Sequence, residues 1–274
     1  ESTSVPTKMS ALNMVLANSR TSAFSENTVE GRIFGGNDQL PKIFAKKLGN
    51  NIHYNRAVHK IEYVKDQVTV HFLENEKRQS ISGNKCVLAM PLSVLRRLKI
   101  DPLFSESKMH CIRNQSYGHV MKIAMQYNRR FWDEPGSIGQ RVFTDTPLRR
   151  VYHFSIDQPG PRGILLSFTS GDDAAKLGRM SEKRRMETAQ KTSTEIWGKA
   201  PQYWEGGVTK YWNEDPWTRA SYSVAGVGQK DFREILSKSE EMFHFAGEHT
   251  SIHRASMNGA IESGLRVSDE IKKS

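Results

Sequence analysis

Apolar residues change their spacing several times along the chain, and each change marks an element. Met9 to Leu16 repeats at helical spacing ahead of a Ser/Thr/Asn-rich loop that runs to about residue 29. Arg32-Ile33-Phe34 reads as a short strand broken by Gly35-Gly36. Leu40, Ile43, Phe44 and Leu48 then recur at helical spacing. Asp38 is placed to cap that helix, Pro41 fits its first turn, and Gly49 ends it. Short strands are expected at Asn51–Tyr54 and Ala57–Tyr63, and Gln67–Phe72 alternates as a strand turned by the polar Glu74–Gln79 segment. Lys85–Met90 is a continuous apolar run stopped by Pro91, the pattern of a strand buried on both faces. Leu92–Leu98 forms one or two helical turns.

The middle of the chain has a different rhythm. Val120–Tyr127, Val151–Ser155 and Gly163–Thr169 alternate, with Gly/Pro turns such as Asp157-Gln158-Pro159-Gly160-Pro161 between them, which is an antiparallel-sheet signature. A helix over Ser181–Trp197 turns Met186, Ala189 and Ile196 inward and a basic face outward. A Trp/Pro-rich loop over residues 211–229, a strand Met242–Ala246 and a helix Asn258–Lys272 complete the pattern.

Composition narrows the function classes. The 274 residues are 37% hydrophobic and include 12 Phe, 8 Tyr, 5 Trp and 10 Met, enough for a real core and against global disorder. No run approaches the roughly 18 apolar residues of a bilayer span. The opening residues 1–7 are polar and unlike a secretory leader, so they leave the compartment open. Two cysteines, Cys86 and Cys111, exclude a disulfide framework or a multi-cysteine metal site, and Cys86 within its apolar run reads as an inert thiol. The net charge of +10 comes from scattered pairs such as Arg96-Arg97 and Arg149-Arg150, without a basic stripe or a nucleic-acid motif. No nucleic-acid partner is expected.

The densest chemistry lies near the C-terminus, in Phe243-His244-Phe245-Ala246-Gly247-Glu248-His249-Thr250 and Met257-Asn258-Gly259-Ala260-Ile261-Glu262. A strand enters a tight glycine turn that sets a carboxylate beside backbone N–H groups, and a glycine-dotted helix start follows. Gly259 removes a side chain where a flat ligand or its phosphates would approach the helix N-terminus. Glu248 suits hydrogen bonding to sugar or ribityl hydroxyls. A plain strand–turn–helix closure is the competing reading. His249 and His253 with Glu248 suggest a metal, but a glycine-flanked turn without a third well-spaced ligand argues against one. Gly226-Val227-Gly228 lacks the strand and third glycine of a dinucleotide fingerprint.

This C-terminal segment resembles the FAD-binding signature of the flavin-dependent amine oxidases, a family that includes L-amino-acid, monoamine and polyamine oxidases. Three further stretches resemble the same family in the right order. Gly35-Gly36 with Val58-His59-Lys60-Ile61 is similar to its glycine pair and the strand whose valine meets the adenine. Ala89-Met90-Pro91 is similar to its post-strand turn. Trp212 through Tyr222 is similar to the aromatic loop beside the isoalloxazine. The resemblance spans about residues 30–272 and implies an incomplete α/β FAD-binding domain (30–100 and 211–274) with an antiparallel-sheet α+β substrate domain (1–29 and 101–210).

The same resemblance assigns roles. On the Val120–Tyr127 strand, Lys122 shares a face with Val120, Ala124 and Gln126, where simple solvent exposure is an equal reading. In the family a lysine on this strand holds a water against the flavin N5. Tyr152 is the candidate donor to a substrate carboxylate, or else a core tyrosine, and Tyr222 an aromatic flanking the flavin. Gly35, Gly36, Val58, Pro91, Trp212, Trp217, Gly247, Glu248 and Met257 are implied cofactor contacts, and Tyr152, Tyr222 and Ser256 substrate contacts.

The sequence also departs from the family. Residues 1–34 contain no strand–G-x-G-x-x-G–helix unit, so the chain resembles a C-terminal half: a piece, a proteolytic product, or a subunit whose partner chain supplies the rest. Alone it is expected to hold FAD poorly, and the family's carboxylate-clamping arginine falls in that missing part. Ser256 stands at an aromatic position, and Ser221 offers no cysteine, so FAD is expected to be noncovalent. The reaction implied is oxidation of an amine by flavin and dioxygen, with L-amino acids preferred to monoamines or polyamines. A noncatalytic, partner-binding fragment is the remaining alternative.

Overall fold

The computed structural model describes Met9, Ser10 and residues 33–274. The helix expected at Met9–Leu16 otherwise lies outside the described residues. Helix α1 (Gln39–Leu48) forms where the periodicity placed it and ends at Gly49, but no residue of it is buried. Asp38 makes no capping bond and instead pairs with Lys42 at 2.5 Å. Ile33 and Phe34 belong to a turn rather than a strand, with Phe34 91% exposed, and Asn51–Tyr54 is irregular after a single 3-10 turn.

Strands β1 (Ala57–Val64), β2 (Gln67–Glu74) and β3 (Lys77–Gly83) make an antiparallel meander. The turn is tighter than the sequence suggested: only Asn75 and Glu76 take positive φ there, and most of the polar segment is itself strand. All of β3 is exposed, so no burial alternation marks it. Strand β4 (Cys86–Leu88), helix α2 (Leu92–Leu95) and strand β5 (Lys99–Asp101) follow, and β5 returns parallel to β1. Val87 is 43% exposed, so β4 is not covered on both faces as its apolar run implied.

Helix α3 (Glu106–Asn114), capped by Ser105, leads to β6 (Val120–Tyr127), β7 (Arg141–Phe143), β8 (Arg150–His153) and β9 (Gly163–Ser170). Helices α4 (Gly171–Gly178), α5 (Glu182–Ile196) and α6 (Ala200–Tyr203) precede β10 (Trp204–Tyr211). These strands form one antiparallel sheet in the order β10-β6-β9-β8-β7. Strand β10 escaped the sequence pattern because its Gly206-Gly207 pair erases alternation. In α5 the basic face is not wholly outward: Arg185 is buried and donates to the carbonyls of Leu177 (3.0 Å) and Gly178 (2.7 Å). Helix α7 (Phe232–Ser237), strand β11 (Phe243–Phe245) and helix α8 (Met257–Lys273) close the chain, β11 lying parallel to β4.

Two apolar clusters hold these layers. One joins Ile61, Leu88, Leu92, Phe104, Ile112, Phe243 and Phe245; the other lies under the five-stranded sheet around Met121, Ile123, Tyr127, Trp132, Val151 and Leu165. Phe104 and Ile112, within the 101–210 span expected for the substrate unit, pack in the first cluster.

Candidate active site

The carboxyl ends of the parallel pair bring two of the expected turns together. Phe243 lies opposite Cys86 and Phe245 opposite Leu88, and Ala246 N donates to Leu88 O at 3.0 Å. The chain therefore leaves both strands side by side, at Ala89-Met90-Pro91 and at Gly247-Glu248. The crevice outside the carboxyl ends of parallel strands is where open α/β sheets take ligands. Gly247, at φ 121°, makes the turn, and a side chain there would press on His249. Burial pushes the His249 imidazole down to about 4, leaving it neutral.

Glu248 does not point away from the protein as a free ligand. Its carboxylate accepts from Ser223 N and Ser223 Oγ, each at 2.8 Å, and from Ala255 N at 2.7 Å. It fastens the aromatic loop to the turn before α8. Gly118 N donates to Tyr222 O at 3.1 Å and Ser221 N to Gly118 O at 3.2 Å, so the same loop is stitched to the segment entering β6. Ser93 Oγ donates to Thr218 O at 2.5 Å, tying it to the turn after Pro91. Pro91, Gly247, Glu248, Tyr222 and the start of β6 are thus held in one assembly.

Ser256, expected against substrate, is the N-cap of α8: its hydroxyl accepts from Gly259 N (3.0 Å) and donates to His253 O (2.5 Å). Beside it Met257 is 43% exposed at the open first turn of α8. Trp212 and Trp217 sit on the surface of the loop, Trp212 beneath the Lys210 ammonium at 5.0 Å. Gly35 and Gly36 lie in a turn before α1, where Gln39 N donates to Gly36 O at 3.1 Å and Gln39 Nε2 to Gly35 O at 3.4 Å. Val58 packs at the rim of the first cluster.

Lys122 lies in the second part of the site. Cross-strand partners share a face, and the register sets Lys210, Lys122, Phe168, Arg150 and Phe143 in one row across the five-stranded sheet. The next row is Val208, Ala124, Leu166, Tyr152 and Arg141. Opposite this face is the second apolar cluster. The Lys122 ammonium rests 3.6 Å from the Phe168 ring centroid and 6.0 Å from that of Tyr152, and makes no ion pair among the described residues. Desolvation, then the nearby Arg150 guanidinium, hold it down at about 8, so it is far from an ordinary surface lysine. Phe168 and Arg150 were not singled out from sequence; the alternation of Gly163–Thr169 contained the signal for Phe168, but Arg150 falls outside the run.

Among the described residues no His/Cys/Asp/Glu group of three or more is arranged to hold a metal, and no helix is long and apolar enough to cross a membrane. Fold and site define a mixed α/β protein in which two turns at parallel-strand ends are tied by one loop to a lysine-bearing antiparallel sheet. The model of the flavin containing amine oxidoreductases matches residues 9–272, and the chain belongs to that family, whose members carry a flavin. It is 32% identical over 251 residues to YobN of Bacillus subtilis (strain 168), whose name provisionally assigns L-amino-acid oxidation; the match covers 88% of this chain and 52% of that one. It is 30% identical to the flavin-dependent L-tryptophan oxidase RebO of Lentzea aerocolonigenes, over 85% of this chain and 51% of RebO. A variant of putrescine oxidase superposes with a TM-score of 0.86 at 23% identity, covering 99% of this chain and 62% of that one. The chain spans about half the length of the curated relatives it matches.

Proposed function

We propose that this chain forms the substrate wall and part of the cofactor cradle of an FAD-dependent amine oxidase acting on L-amino acids. The observation that carries the proposal is Lys122: a half-buried ammonium without an ion pair among the described residues, set on aromatic rings on the sheet face opposite the core. The residues are compatible with a flat coenzyme: Pro91 and Gly247 follow the carboxyl ends of β4 and β11, and Met257 is exposed at the start of α8, whose Gly259 N is already taken by the Ser256 cap. We assign Gly247, Met257 and Pro91 to that cradle, with Trp212, Trp217 and Tyr222 at its edge and noncovalent attachment. Glu248 acts there through the loop it fastens.

When bound, the flavin accepts hydride from the carbon bearing the amine and passes electrons to dioxygen, yielding hydrogen peroxide. Lys122 holds a water by its N–H donors and keeps positive charge at the site. Tyr152 aims its hydroxyl at a substrate carboxylate, and Phe168 and Tyr222 exclude bulk water and orient the substrate.

The exposed apolar residues of α1, Ile43, Phe44 and Leu48, each about half accessible, support cover by a further segment or chain that carries the strand–G-x-G-x-x-G–helix unit. Copurification of a second polypeptide with that unit tests this part. For the activity, peroxide release from leucine or phenylalanine, but not from benzylamine, spermidine or putrescine, is the expected result. A yellow preparation should lose turnover roughly tenfold or more on Lys122→Met. Turnover of diamines alone overturns the substrate assignment, and a colourless, inert protein after FAD addition in the presence of the missing unit overturns the function.

A further inference from the structure

We propose that a cleft where α5 meets α6, behind the five-stranded sheet, binds a small apolar amino acid as its zwitterion. The cleft has a volume of about 190 Å³, and Phe131, Ile138, Ile196 and Trp197 line it together with Glu134 and Lys199. Phe131 and Trp197 belong to the second apolar cluster, so the cleft lies on the side of the sheet away from Lys122, and the proposal does not depend on what the Lys122 face binds. Phe131 is 3% and Trp197 5% exposed, with ring centroids 6.4 Å apart. Ile138, 62% exposed, stands on the open side.

The charged groups decide the ligand. The Glu134 carboxylate accepts from Lys199 Nζ at 3.1 Å and lies 2.8 Å from Arg129 Nη2. Lys199, aided by Arg129, holds the Glu134 carboxyl below the ordinary range, so it is ionised at neutral pH. Arg129 stands 5.6 Å from the Tyr203 ring centroid, and Tyr203 stacks on Phe131, which keeps the guanidinium beside the aromatic wall. Both cations are more than half exposed, and ion pairs of that kind contribute little and exchange partners readily. An amine alone would bring a third cation to one carboxylate, and an acid alone would meet the Glu134 charge beside Lys199. An amino acid carries both groups on one carbon: its ammonium donates to Glu134 while its carboxylate accepts from Lys199 and Arg129. Its side chain then leaves water against Phe131 and Trp197. An apolar cavity of roughly 150 Å³ takes benzene, so the side chain of leucine, methionine or phenylalanine matches this cleft.

L-Phenylalanine, titrated into the full chain in the absence of flavin, should saturably shift the NMR resonance of the Trp197 indole N–H, which its loss in Trp197→Phe assigns. 3-Phenylpropionate and 2-phenylethylamine each keep the ring and one charge, and should bind roughly tenfold or more weakly. Lys199→Gln should weaken phenylalanine by a similar factor and leave 2-phenylethylamine no weaker, since Glu134 remains. Gly198, which also lines the cleft, has open space where a Cβ would stand, so Gly198→Leu should occupy the cleft and abolish the shift without lowering Tm. Lys122→Met, on the opposite face of the sheet, should leave the shift unchanged. Equal binding of the three ligands, or unchanged phenylalanine affinity in both Lys199→Gln and Gly198→Leu, overturns the inference. If Lys122→Met alone removes phenylalanine binding, the amino acid sits on the Lys122 face: the cleft proposal fails and the functional reading stands. Loss of leucine oxidation in Lys122→Met, measured with flavin bound, tests that reading separately.

Discussion

Replacing Lys122 by Met should make the protein more stable near neutral pH and lose that advantage as the pH rises. Burial and the neighbouring Arg150 lower the Lys122 ammonium from 10.5 to about 8. At ~1.36 kcal/mol per pH unit, that depression corresponds to at most ~3.4 kcal/mol. Residual exposure of the side chain roughly halves it, to ~1.5–2 kcal/mol. The lost attraction to Phe168 returns ~0.5–1 kcal/mol, so the net gain is about 1 kcal/mol. For a chain of this size that is a rise of about 2–4 °C in Tm. The sign follows from proton counting: between the folded and unfolded pKa values the unfolded chain binds more protons, so the wild type gains stability as pH rises. Below about 8 the ammonium is charged in both states and its cost is fully present; above about 10.4 it is neutral in both and the cost is gone. Calorimetric melting of the wild type and Lys122→Met from pH 7 to 10.5 checks this. A Tm difference independent of pH, or a wild type that melts higher at pH 7, would refute the buried-ammonium reading.

Three other outcomes follow from the packing. Lys108 is fully buried and donates to the carbonyls of Ile235 (2.6 Å), Leu236 (3.3 Å) and Lys238 (2.5 Å) at the end of α7, above the Phe245 ring. Lys108→Met should cost about 2–4 kcal/mol in denaturant unfolding and speed amide exchange in α7, because the carbonyls lose their donor. Glu248→Ala should cost about 2–3 kcal/mol and deprotect the Ser223 and Ala255 amides, whereas a carboxylate serving only a ligand would leave both protected. Gly259→Ala should lower stability by about 1–3 kcal/mol, since a Cβ there would overlap the His253 carbonyl; an unchanged unfolding midpoint would show that the α8 turn yields easily.

Periodicity alone located much of the frame. Strand β6 runs over Val120–Tyr127 as its alternation indicated, and α5 and α8 start within a residue of their expected caps. These elements are amphipathic over two or more turns or a full strand, so their own residues report which side is buried. Elements without that contrast were hidden: β3 is exposed throughout, β10 carries Gly206-Gly207, and α7 is only six residues long.

The site divides along the same line. Turn chemistry singled out Gly247 and Glu248, and the resemblance to the flavin-dependent amine oxidases pointed to Lys122 and Tyr152, which residue pattern alone left as equally well a solvent-exposed lysine and a core tyrosine. What each side chain meets was decided by distant parts of the chain. Ser223 and Ala255 take up the Glu248 carboxylate, Ser256 turns its hydroxyl to the α8 backbone, and Arg150 comes to share a ring with Lys122 through the register of β6, β8 and β9. Local sequence specifies a strand's face because side chains alternate every residue, but which cation lies beside which ring depends on strand order and register, and those are set by the closure of whole sheets.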